Sequence, residues 1–343
     1  MELNKRMKTI LAAVVHRYIT TAEPVSSSII AKEYNLDLST ATIRHEMYWL
    51  EKYDYLWQPH TSAGRIPTDK GYRFYVDNLM IKRYLKENEK REIIQIYKKN
   101  KELEETMKIT SQLLSKLTHN LGVVLAPIIY DDLVRNIQFI PVGNNRVLTI
   151  IVTDTGLVCQ KLINVSGEIT KDRLSYLSNF INNKLTEKDI NIINLNKILK
   201  DELDKILSFQ ERFNYIYDFL EDCLNFKSLK NKVYLDGRTN IMRQPEFNET
   251  IKLNYILSII EEENILANTI RKCLGFRKIK VIIGKESKLK EIQSCSLVTS
   301  KYNIKGKPAG AIGVLGPTRM DYSRMISIVE YVSDKLSDIL SEF

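Results

Sequence analysis

Residues 39–68 read STATIRHEMYWLEKYDYLWQPHTSAGRIPT, and their pattern decides how the first eighty residues fold. From Ser39 onward Ile43, Met47 and Leu50 recur at three and four, which predicts an amphipathic helix. Ser39 suits its N-cap, because a short hydroxyl can satisfy an otherwise unpaired amide of the first turn. Ala41, His45, Tyr48 and Lys52 fall on the opposite face, with Arg44 on the flank. That face is small and polar at its start, then aromatic and basic. YLWQP follows as a short strand-like piece, and PHTSAGRIPT, residues 59–68, then has two prolines, one glycine and no hydrophobic period.

On the N-terminal side, KRMKTILAAVVHRYITT places Met7, Ile10, Leu11, Val14, Val15 and Tyr18 on one helical face. Glu23-Pro24 breaks it, since the residue before proline is pushed out of the helical region. SSIIAKEY reads as a short second helix capped from Ser26 to Ser28, with Asn35 suited to the turn that ends it. A fourth helix runs from Thr68 through GYRFYVDNLM.

Helix, helix, tight turn, helix, then strand and polar loop is the order of a winged helix-turn-helix. Three short helices can bury one shared core and leave the third projecting, so that its first residues enter a major groove about 12 Å wide. Ser39, Thr40, Thr42, Arg44 and His45 are the candidate readers of double-stranded DNA, and Tyr48 or Lys52 could reach phosphate. A solvated helix face would look the same, so the loop carries the weight. Gly64 supplies a turn, Thr61 and Ser62 are phosphate donors, and Arg65 is the residue to enter the minor groove or grip phosphate. His60 adds a donor, and Pro59 and Pro67 stiffen the base.

Residues 82–118 form a charged stretch whose apolar positions, Ile93, Ile96, Leu103, Met107, Leu113, Leu114 and Leu117, predict a connecting helix between domains. From about 120, VVLAPII, NIQFIPVG, RVLTIIVTDTG and VCQKLINV read as a sheet, and TKDRLSYLSNFINNKL as a helix packed on it. Residues 190–230 and about 248–263 are strongly helical, and strand texture resumes at RKIKVIIGKE, CSLVTSKYNI and KPAGAIGVLGP before a final helix. An insertion into one α/β domain and two domains in series would both produce this order.

The chain is long enough at 343 residues for two or three cores, and 44% apolar with 27% charged residues is ordinary soluble composition. No run reaches the ~18 to 20 apolar residues of a membrane span, and no targeting segment is evident, so a cytoplasmic protein without membrane association is expected. The net charge of +9 is spread: residues 1–81 carry ten Lys/Arg against nine Asp/Glu. Charge alone therefore does not argue for nucleic acid.

Four dispersed cysteines, Cys159, Cys223, Cys273 and Cys295, read as reduced thiols, and four histidines form no metal or triad motif. Gly310 to Gly316 in GAIGVLGPTRMDYSR tempts with a phosphate cradle but matches neither nucleotide motif, so close strand packing is the better reading. Arg319 and Asp321 read as an internal ion pair. No catalytic residue, metal site or cofactor is expected, and the protein is not read as an enzyme.

ATIRHEMYWLEKYDYLWQPHTSAGRIPTDKGYRFYVD resembles the HrcA family, the heat-inducible transcription repressors of bacteria, as do EPVSS at 23–27, YLDGRTNIMRQPEF at 234–247 and GAIGVLGPTRMDYSRMI at 310–326. The resemblance implies an α+β multidomain fold: a winged-helix domain (1–81), a connecting segment (82–118), a GAF-like α/β domain (119–189 and 267–343), and an inserted, mainly helical dimerisation domain (190–266). It also implies a homodimer on an inverted-repeat operator, CIRCE, upstream of class I heat-shock (groE and dnaK type) operons. Repression would be supported by the GroEL chaperonin, whose capture by unfolded protein on heating releases the genes. The alternative is a ligand-gated regulator that senses a small molecule through the GAF-like domain. His45 stands where the family usually has Asn, and Asp54 where it usually has Gly; an Asp tolerates the left-handed turn better than most residues.

Overall fold

The computed structural model describes residues 3–34, 36–60, 63–97, 102–127, 133–143, 145–154, 158–164, 170–187, 232–272 and 278–342. Its first part is α1 (Lys5–Thr21), α2 (Ser27–Glu33) and α3 (Thr40–Lys52), then a two-stranded antiparallel ladder of β1 (Leu56–Trp57) and β2 (Ile66–Pro67), then α4 (Asp69–Phe74). Short polar side chains start the helices as the sequence expects. Asn4, Ser26, Ser39 and Thr68 each accept a hydrogen bond from a first-turn amide. α1 stops at Ala22, which takes a left-handed conformation (φ 59°) and returns its amide to the Tyr18 carbonyl, two residues before Pro24. Ile10, Leu11, Val14 and Val15 of α1, Ile30 of α2, and Ile43, Met47 and Leu50 of α3 close one core.

The second part is a five-stranded antiparallel sheet in the order β7-β3-β10-β9-β8, built from β3 (Leu121–Leu125), β7 (Val233–Asp236), β8 (Ile279–Ile283), β9 (Cys295–Ile304) and β10 (Lys307–Pro317). Both faces are covered, which the strand period makes visible. Leu121, Val123 and Leu125 point to α8 (Arg238–Met242), α9 (Thr250–Glu261) and α10 (Glu263–Lys272). Val124, with Val298, Ile312 and Val314, points to α6 (Leu103–Thr118) and α11 (Tyr322–Ser341). α11 carries a ladder of serines along this contact: Ser333 donates to the Lys301 carbonyl, Ser337 accepts from the Asn303 amide and Ser341 from the Lys305 amide.

The third part is a separate antiparallel sheet, β4 (Val134–Pro141), β5 (Arg146–Thr153) and β6 (Val158–Asn164), with α7 (Lys171–Glu187) against one face. Asn182 of α7 bonds both the amide and the carbonyl of Ile137, and Ser178 accepts from the Phe139 amide.

Strand pairing sorts the described residues by sheet. Of those in 119–189 only β3 joins the five-stranded sheet, and β4 to α7 lie outside it. Residues 232–266, expected in the insert, instead supply β7 and the helices on the sheet's second face. The excursion therefore leaves after β3 and returns before β7, and the Ala126 amide donates to the Lys232 carbonyl at 2.9 Å, so its two ends touch. A β-branched run looks alike in either sheet, so texture alone does not sort strands between the two. The expected connecting helix 82–118 is likewise several elements. An extended strap at 80–86 lies on α11, bonded through Ser323 and Ser327; α5 (Glu87–Tyr97) follows, and α6 belongs to the sheet's helical layer. The described part of 190–266 lies mostly in the sheet unit, and residues 188–231 lie outside the described residues.

Candidate nucleic-acid interface

α3 divides as its period predicts. Ile43, Met47 and Leu50 are buried, while Ser39, Arg44, His45 and Tyr48 are exposed and Thr40 and Thr42 half-buried. The Ser39 hydroxyl accepts from the Thr42 amide at 3.1 Å and pairs with the Thr42 hydroxyl at 2.9 Å, so both are partly used in capping the helix. Four of the candidate contact residues, Ser39, Arg44, His45 and Tyr48, are thus open to solvent.

Behind them an aromatic group stiffens the helix. Trp49 stacks on Tyr53 with centroids 5.7 Å apart, meets Tyr48 edge-on, and lies 4.9 Å below the Lys52 ammonium. Its indole N–H donates to His45 Nε2 at 3.1 Å. Lys52 is thus seated on an indole face.

The loop between β1 and β2 closes on itself. The Ala63 amide donates to the His60 carbonyl at 2.9 Å, the Gln58 amide group donates to the Ala63 carbonyl at 2.8 Å, and the His60 side chain is exposed. Thr61 and Ser62 lie outside the described residues. Gly64 has no room for a side chain, since a Cβ there would meet the Val25 backbone. Trp57, exposed at 54%, stands on the same ladder and was not anticipated.

Arg65 is engaged within the protein. Its amide and carbonyl bridge to Val25, its side chain is only 14% exposed, and its Nε donates to Glu51 of α3 at 2.8 Å. It therefore joins the loop base to α3 and is not held free for a groove or a phosphate. Glu51 and Trp49, like Trp57, were missed in the sequence. Trp49 stands at i+4 from His45, a spacing that puts both on one helix side; Glu51 and Arg65, fourteen residues apart, leave no local signal.

The glycine cluster is close strand packing, as read. Gly310, Gly313 and Gly316 all lie within β10, against the Tyr302 ring, the Val298 carbonyl and the Asn120 side chain. Arg319 is an internal ion pair, though with Glu246; it also donates to the Ile19 carbonyl of α1. Asp321 caps α11 instead and pairs with Arg83. Cys295 is buried, and burial pushes its thiol up to about 12, so it is inert. Among the described residues no cluster could hold a metal, and no helix is long and apolar enough to cross a membrane.

The heat-inducible transcription repressor HrcA of Desulforudis audaxviator is 40% identical over 344 residues, covering 100% of this chain and 99% of its own. That of Natranaerobius thermophilus is 41% identical over 346 residues, covering 100% and 98%. The chain belongs to the HrcA family. The family description "HrcA protein C terminal domain" matches residues 104–326. A crystal structure of a hypothetical protein, at 23% identity, superposes with a TM-score of 0.62 over 99% of both chains and shares the fold.

HrcA proteins are transcription repressors and not enzymes, so DNA is the partner this membership carries. The stretch that identified the family divides sharply in the structure. PHTSAGRIP is the loop and its base, while TDKGYRF is α4 with its cap, the element that docks the N-terminal unit on the five-stranded sheet. Asp69 accepts from the Lys285 amide at 2.9 Å, and the Arg73 guanidinium holds Glu286 at 2.7 Å and the Val281 carbonyl at 2.8 Å. Tyr72 packs on Tyr322 with centroids 5.8 Å apart. Burial raises the Asp69 carboxyl above its usual range despite the Lys285 amide. Burial also opposes the Glu286 charge, but Arg73 and the Ile283 amide outweigh it and hold that carboxyl below its usual range. Asp54 takes φ 62°, the left-handed turn expected of the residue standing there.

Proposed function

We propose that this HrcA-family repressor binds the CIRCE inverted repeat as a homodimer, through a winged helix-turn-helix in which α3 is the recognition helix and the β1–β2 loop the wing. The observation that carries the reading is the N-terminal part of α3, where Ser39, Arg44, His45 and Tyr48 are exposed and Thr40 and Thr42 half-buried while Ile43, Met47 and Leu50 are buried. His60, with Thr61 and Ser62 beside it in the sequence, supplies the wing's donors; Arg65 sets the wing's position from its pair with Glu51. The five-stranded sheet with helices on both faces is the GAF-like unit, and the β4 to α7 excursion is the part inserted into it that pairs two copies. Two-fold protein on two-fold DNA follows. In this reading GroEL supports repression of class I heat-shock operons, and no small-molecule cofactor takes part.

Titration of the full-length protein against an inverted-repeat duplex and a scrambled duplex, with and without chaperonin, tests this. Expected is tight binding to the repeat only, strengthened by chaperonin, with log K falling ~0.9 per phosphate neutralised as salt rises. Equal affinity for both duplexes at physiological salt would overturn it.

A further inference from the structure

Among the exposed residues of α3, His45 has a defined protonation pattern. Its Nε2 accepts the Trp49 indole N–H at 3.1 Å, with the rings edge-on at 84° and 6.2 Å between centroids. An indole nitrogen can only donate, so His45 Nε2 must carry the lone pair, and in the neutral ring the proton sits on Nδ1. Trp49 is itself fixed, stacked on Tyr53 and capped by Lys52. The nitrogen left to face a ligand is thus a donor.

We propose that Trp49 is a positioning residue for operator specificity: it leaves His45 a single donor nitrogen for the operator, which rejects cytosine at the base His45 faces. This rests on the reading of α3 as the recognition helix. In the major groove guanine presents N7 and O6, adenine N7 and thymine O4, all acceptors, whereas cytosine presents only its N4 amino donor. A lone Nδ1–H bonds guanine, adenine or thymine and leaves a cytosine amino group unpaired against it. Without the indole the ring can present either nitrogen as donor or acceptor, and the choice of base is lost.

Two measurements on the full-length protein decide the matter. Long-range 1H–15N spectra of the histidine-labelled protein read the tautomer directly; the chain has only four histidines, and His45→Ala identifies the signal. The expected pattern is protonated Nδ1 and unprotonated Nε2, and the reverse pattern would overturn the proposal. Affinities are then measured for the inverted-repeat duplex and each single base-pair change in its half-site. The wild type is expected to disfavour cytosine about tenfold against the other three bases at one position, and both His45→Ala and Trp49→Phe to flatten that one position while thermal melting stays unchanged. If Trp49→Phe melts early, the spectra of the wild type still stand as the test. A Trp49→Phe profile identical to wild type sinks the role of Trp49. Should His45→Ala leave the profile intact while Arg44→Ala alters it, the inference about His45 fails and the recognition helix survives. Should neither variant affect binding to the repeat, the recognition-helix reading itself has failed.

Discussion

The Arg65 guanidinium lies 2.8 Å from the Glu51 carboxylate, and this contact ties the loop to the helix beside it. Arg65→Ala and Glu51→Ala are expected to weaken binding to the inverted repeat by similar factors, with the double variant no worse than either. The coupling should be about 0.5–2 kcal/mol, and the salt dependence should stay as in the wild type. A salt slope reduced by about one unit in Arg65→Ala alone would instead make Arg65 a phosphate ligand.

The Arg73–Glu286 pair joins the two units and makes their docking sensitive to acid. Glu286 is held below its unfolded value, so its contribution is complete above the ordinary carboxylate range and is lost as pH falls through the folded value. With the Glu286 side chain 36% exposed, screening limits that contribution to about 1 kcal/mol. Urea unfolding of wild type and Glu286→Gln across pH should show a gap of that size near neutrality that closes below pH ~4. A gap independent of pH would mean that the charge on Glu286 does not matter.

Gly313 sits in the middle of β10, where an added Cβ would come within 2.5 Å of the Val298 carbonyl on the neighbouring strand. Backbone cannot step aside as a flexible side chain can. Gly313→Ala should therefore cost about 1–3 kcal/mol in thermal unfolding, while operator affinity below the melting transition remains near that of wild type. Unchanged stability would show that the strands are less tightly apposed than the structure has them.

The touching ends of the excursion allow a sharper test. β3 and β7 are antiparallel neighbours paired from Leu125↔Val233 to Gly122↔Asp236, and the Ala126–Lys232 bond lies just beyond. Replacing residues 127–231 with Asn-Gly should turn them into an ordinary two-residue hairpin. The shortened protein is expected to fold with its five-stranded sheet intact by circular dichroism, to run as a monomer in light scattering, and to lose cooperative binding to the two-fold repeat. A shortened protein that remains a dimer would place the pairing surface elsewhere.

Much of the N-terminal unit was legible because its signals are local. The three-and-four spacing of Ile43, Met47 and Leu50, the caps at Ser39 and Thr68, and the left-handed turn at Asp54 each involve residues within a few positions of one another. The buried and exposed positions of α3 were legible for the same reason, since helical period alone sorts one face from the other. The Arg65–Glu51 pair was not, because its two residues lie on different elements.

The larger architecture shows the same division. From sequence alone, the existence of the strands, the helices that follow them, and the family-defining stretch at residues 59–77 were determined, because propensity, capping and side-chain period are short-range. Only the tertiary structure decided that β3 pairs with β7 across an excursion of about a hundred residues, that β4 to β6 form a sheet of their own, and that TDKGYRF serves docking. Strand partners and ion pairs between distant residues are chosen by which backbones and charges the folded chain brings together, and no neighbouring residue records that choice.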